Sequence, residues 1–69
     1  MNYTLVIFRI SHFDKGIELD FDSDEVAIAE AEKLLGYLNV ALDSKVQEVV
    51  LFRGHKNVME WQRKFLRKG

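Results

Sequence analysis

A chain of 69 residues with a formal net charge of −1 and 48% hydrophobic residues makes one domain, 1–69, and at that size folding buries only about 60% of the surface of the unfolded chain. It has no cysteine and two histidines, which excludes disulfides and thiolate zinc sites and leaves too few ligands for a closed structural zinc site. The small total charge hides a division: residues 1–52 carry ten acids and four bases, net −6, whereas residues 53–69 carry six bases and one acid, net +5.

Residues 2–10 are β-branched and aromatic without a breaker, which predicts a first strand. Thr4, Val6, Phe8 and Ile10 share one face, and Tyr3, Leu5, Ile7 and Arg9 the other. Ser11 to Gly16 reads as a loop with Asp14-Lys15-Gly16 as its turn. Residues 17–21 alternate, with Ile17, Leu19 and Phe21 inward and Glu18, Asp20 and Asp22 outward, which predicts a second strand and an antiparallel hairpin.

Asp22 and Glu25 stand at capping-box spacing, and a helix is expected from about Ser23 to about Leu42. Its apolar stripe is Ile28, Ala31, Leu35, Leu38 and Leu42, and Gly36 is its weak point. Asp43-Ser44-Lys45 is a turn, and residues 46–53 form a third strand with apolar residues on both faces. Gly54 to Asn57 has hairpin-turn composition. The segment Val58 to Lys68 fits a strand or a helix by period, and the short link before it favours a fourth strand through about Arg63. The fold class is α+β, in the order β-β-α-β-β, with one helix on one face of a small antiparallel sheet.

One helix covers one face of such a sheet, yet strands one and three are apolar on both. If Val6, Phe8 and Ile10 lie under the helix, Leu5 and Ile7 stay on the open side. On that reading Leu5, Ile7, Val49, Leu51, Met59 and Trp61 form an oligomer interface, with a two-fold dimer as the first expectation.

Asp20, Asp22 and Asp24 resemble the opening of a calcium loop, but the sixth and twelfth positions hold Glu25 and Ala31 where Gly and Glu are needed. His12 and His55 fall in expected loops without a partner for acid–base work, and Ser11 beside His12 points away from it. No nucleophile elbow, phosphate-cradling loop or zinc-helix motif occurs. No enzyme activity, metal or cofactor is expected.

The one cluster with functional promise is Arg53, His55, Lys56, Arg63, Lys64, Arg67 and Lys68, interleaved with Trp61 and Phe65. Cations with aromatic rings suit an anionic protein, a small anionic ligand, or nucleic acid through phosphate charge and base stacking. The expectation is a soluble, cytoplasmic, non-enzymatic binding module acting as a homo-oligomer, such as a phage-type inhibitor or ligand-sequestering protein. Nucleic-acid or nucleotide binding through the basic C-terminal segment is the alternative, and no membrane partner is expected because no apolar run could span a bilayer.

Overall fold

In a computed structural model the chain is described over residues 1–10 and 16–63. Alternating β-branched and aromatic residues produce β1 (Asn2–Arg9) and β2 (Ile17–Asp20). The helix α1 (Asp24–Tyr37) follows, then a 3-10 turn over Val40–Leu42, and then β3 (Val46–Arg53) and β4 (Lys56–Gln62). The fold is therefore α+β in the expected order, and the ambiguous last segment is a strand through Gln62. The four strands form one sheet, β2-β1-β3-β4, and every neighbouring pair is antiparallel.

The β3–β4 connection has two central residues, Gly54 and His55, between the paired Arg53 and Lys56. Gly54 has φ of 62°, which suits a type II′ hairpin turn with glycine at its first central position. Two bulges break the ladders. Gln47 is skipped where Phe8 pairs with Glu48 and Arg9 with Val46, and Val58 is skipped between Met59 and Asn57.

The helix covers the Tyr3, Leu5 and Ile7 face, not the Val6 and Phe8 face on which the expected interface set rests. Tyr3, Leu5, Ile7, Val49, Leu51 and Trp61 lie in the core with Ala27, Ala31 and Leu35 of α1, and Ile17 and Leu19 pack against its margin. Leu5, Ile7, Val49, Leu51 and Trp61 are thus interior residues of the single chain and are not available as an open interface; only Met59, 36% exposed, keeps contact with solvent. The physical reason lies in the polar tips of two aromatic residues. A buried tyrosine hydroxyl or indole N–H needs an acceptor. The helix supplies both, since Tyr3 Oη donates to Asp24 Oδ1 at 2.6 Å and Trp61 Nε1 to Glu32 Oε2 at 3.2 Å.

The other face carries Thr4, Val6 and Phe8 of β1 beside Val50 and Phe52 of β3, with Val50 buried and the others half-buried. Glu18 and Asp20 of β2, Glu48 of β3, and Glu60 of β4 share that face. The strand cations Arg9, Arg53 and Lys56 fall on the helix side by the same registers. The charge division along the chain becomes, in part, a division between the faces of the sheet.

The helix also starts and stops differently from expectation. Ser23, not Asp22, is the N-cap, and its Oγ accepts from the Val26 N–H at 3.3 Å, so Glu25 is not at the box position. Asp24 and Glu25 occupy the first turn, where carboxylates favour the positive end of the dipole. The helix runs through Gly36 and ends at Tyr37. Asn39 then turns left-handed, with φ 53° and ψ 38°, a conformation that asparagine tolerates better than most residues. The stripe drawn through Leu38 and Leu42 therefore breaks, and Leu42 is 83% exposed.

Candidate functional site

The described members of the predicted basic cluster stand at two ends of the sheet. Arg53 and Lys56 flank the hairpin at the end of the sheet where α1 begins, and Arg63 follows β4 at the opposite end. Seven strand residues at about 3.3 Å each set these ends about 20 Å apart. Lys64, Arg67 and Lys68 lie outside the described residues, as do Phe65 and His12 with most of the Ser11–Gly16 loop. His55 is exposed in the turn.

The arginines that are described serve the fold. Arg53 Nη1 donates to Asp24 Oδ1 at 2.6 Å, the same oxygen that takes the Tyr3 hydroxyl. The Tyr3 hydroxyl, and after it the Arg53 guanidinium, hold the Asp24 carboxyl below the usual aspartate range against the opposing effect of burial. Burial, and then the neighbouring carboxylate, push the Tyr3 hydroxyl above its ordinary value. This trio ties the first residue of β1's core face, the start of α1 and the end of β3 together.

At the other end Arg63 Nη1 donates to the Asp43 carbonyl at 3.0 Å and to the Val46 carbonyl. Arg9 pairs with Asp43 Oδ2 at 3.1 Å. Asp43 Oδ1 accepts the Lys45 backbone N–H at 3.0 Å, and that bond, followed by Arg9, lowers the Asp43 carboxyl. Asp20, Asp22 and Asp24 do not converge: Asp20 ends β2 and binds the Met1 ammonium at 3.0 Å, and Asp24 opens α1. Among the described residues no three His, Cys, Asp or Glu side chains group to hold a metal ion.

A concave apolar surface lies elsewhere, between β2 and the C-terminal half of α1. Leu19, Phe21, Leu34 and Tyr37 line a groove of ≈ 400 Å³ together with Glu30 and Lys33. Those two charges pair with each other at 3.5 Å. Tyr37 is 85% exposed. Beside the groove runs β2, an outer strand of the sheet. The Phe21 N–H points inward to the Met1 carbonyl at 3.1 Å. The antiparallel alternation then turns the N–H and C=O groups of Glu18 and Asp20 outward, away from β1.

Known protein families, curated proteins and solved structures give no match to this chain. The chemistry of the groove is therefore read from its own residues. Among the described residues it offers apolar and aromatic surface beside an outer strand edge.

Sequence reasoning missed this groove. Alternation marks Leu19 and Phe21 only as inward residues of a strand, and Leu34 and Tyr37 fall beside the apolar stripe of the helix. The signal was present: Leu34 and Tyr37 stand three apart and widen the apolar arc of α1 toward one side, which a strip through Ile28, Ala31 and Leu35 passes over. Among the described residues no helix is long and apolar enough to cross a membrane.

Proposed function

We propose that this protein is a non-enzymatic binding module that engages another polypeptide through the groove between β2 and α1. The observation that carries this reading is the exposed Tyr37, which lines an apolar cleft together with Leu19, Phe21 and Leu34. Concave apolar surface with an aromatic anchor is what protein recognition sites are built from. The titratable groups give the reading further support, because Tyr3, Asp24, Arg53, Asp43 and Arg9 are spent on holding elements together. A module this small would act as an adaptor or an inhibitor by covering part of its partner, and its cysteine-free composition suits the cytoplasm.

An anionic partner held by the basic segment is the weaker version of the same class, since Arg53 and Arg63 are engaged by the protein's own oxygens. A homo-oligomer is the second reading. It is favoured by the outer strand β4, seven residues long, on which Met59 stays 36% exposed.

Quantitative co-purification from cells tests the choice. Tyr37→Glu places a charge in the groove at an exposed position, so the fold, checked by circular dichroism, is retained. Loss of the bound partner in Tyr37→Glu, with retention in Lys56→Glu, supports the groove. The reverse pattern transfers the function to the β3–β4 hairpin.

A further inference from the structure

The groove and the edge of β2 form one continuous surface, and their chemistries differ on the two sides of the strand. On the helix side Leu19 and Phe21 open into the apolar groove. On the other side stand the exposed carboxylates of Glu18 and Asp20. Between them the outward N–H and C=O groups of Glu18 and Asp20 have no partner strand within the sheet. Resting on the groove as the binding surface, we infer that its occupant is an extended segment of another protein that adds to the sheet beside β2, with apolar side chains alternating with Lys or Arg.

The register of an added strand dictates this pattern. A residue opposite Glu18 or Asp20 projects its side chain to their face, where a cation meets a carboxylate. A residue opposite Leu19 projects to the other face, toward the groove that Leu19 and Tyr37 line. A groove of ≈ 400 Å³ has room for large apolar side chains of such a segment. The Met1 ammonium already shares the Asp20 carboxylate at 3.0 Å, which leaves Glu18 as the stronger selector for positive charge.

The same carboxylates guard against self-association at this edge. Two copies pairing β2 with β2 would bring Glu18 and Asp20 against their own equivalents, and like charges across a strand pair are destabilising. A cationic strand from a different chain meets no such penalty. The surface thus discriminates between partners by repulsion as well as attraction.

Synthetic hexapeptides serve as the probe, added to the full chain labelled for amide NMR. The first alternates Lys with Leu or Phe, the second carries Glu in place of Lys, and the third has the first composition in a non-alternating order. The first peptide is expected to shift Leu34 and Tyr37, to slow hydrogen exchange at the Glu18 and Asp20 amides, and to bind about ten-fold or more tightly than the other two, the loss expected for one or two edge contacts.

N-methylating alternate peptide amides separates strand addition from mere groove filling. Methylation of the set facing β2 should abolish binding, whereas methylation of the other set should leave it intact. Glu18→Lys should reverse the preference between the Lys and Glu peptides. Equal binding of all three peptides, or protection at β4 in place of β2, overturns the inference. If shifts appear at Tyr37 while the Glu18 and Asp20 amides stay unprotected, strand addition fails and the groove reading stands. If no peptide perturbs either element, and Tyr37→Glu keeps its partner in cells, both fall.

Discussion

Leu51→Ala separates a core residue from an interface residue, and its cost can be worked from the surroundings of the side chain. Leu51 sits on β3 with 0% exposure, opposite Leu5 on one side and Met59 on the other. Ala27 and Ala31 of α1, both fully buried, belong to the same core cluster. Small residues in that layer leave few long side chains to swing into a void. Core Leu→Ala substitutions cost about 2 to 5 kcal/mol, more where the site cannot collapse, so about 3 to 4 kcal/mol is expected here. For a domain of this length each kcal/mol moves the thermal midpoint by about 4 to 8 °C, which puts the fall at about 12 to 32 °C. Urea denaturation followed by the fluorescence of Trp61, the single tryptophan, with far-UV circular dichroism alongside, measures it. The loss should not depend on protein concentration, and Leu42→Ala at an 83% exposed position should change stability by no more than about 0.5 kcal/mol. A Leu51→Ala cost below about 1 kcal/mol, or one that vanishes on dilution, would refute the burial of this face under the helix.

Gly36→Ala meets nothing within 4 Å near the end of α1 and should stabilise the fold by about 0.5 to 1 kcal/mol, read from the same urea curves. Gly16→Ala has the opposite sign, because its Cβ would overlap Thr4 Cγ2; a loss of about 1 to 3 kcal/mol is expected, and Thr4→Ser in the same chain should recover most of it. Acid titration should show stability falling below about pH 4: Asp24 and Asp43 have folded values below an unperturbed aspartate, so their contributions are complete above the unfolded value and disappear as pH drops through the folded ones. Asp24→Asn should flatten part of that acid limb in a pH series of melting curves.

The strands were legible in the sequence because side-chain alternation has a period of two, and residues 2–9, 17–20 and 46–53 carry it with few interruptions. The side of the sheet that faces the helix was not legible. Both faces of β1 and β3 are apolar, and the deciding groups, Asp24 and Glu32, lie 21 and 29 residues from the Tyr3 and Trp61 tips they satisfy. The described arginines of the basic cluster part for a related reason. Arg53 and Arg63 are ten apart in sequence, but an extended strand converts that spacing into distance, and each guanidinium finds a local oxygen at its own end. The end of the helix was hidden because its stop signal is Asn39 in a left-handed conformation and not a glycine or proline. The groove emerges only when the β2 and α1 patterns are brought together in space.

Site-specific photocrosslinking tests the central claim most directly. A photoreactive phenylalanine analogue is placed at Tyr37 in the groove, at His55 in the hairpin and at Met59 on β4, each in the full 8.1 kDa chain expressed in cells. The account predicts a discrete adduct with a different protein from position 37 and none from position 55. An adduct from position 55 with no product at 37, or an adduct at 37 of twice the chain's own mass, would contradict it.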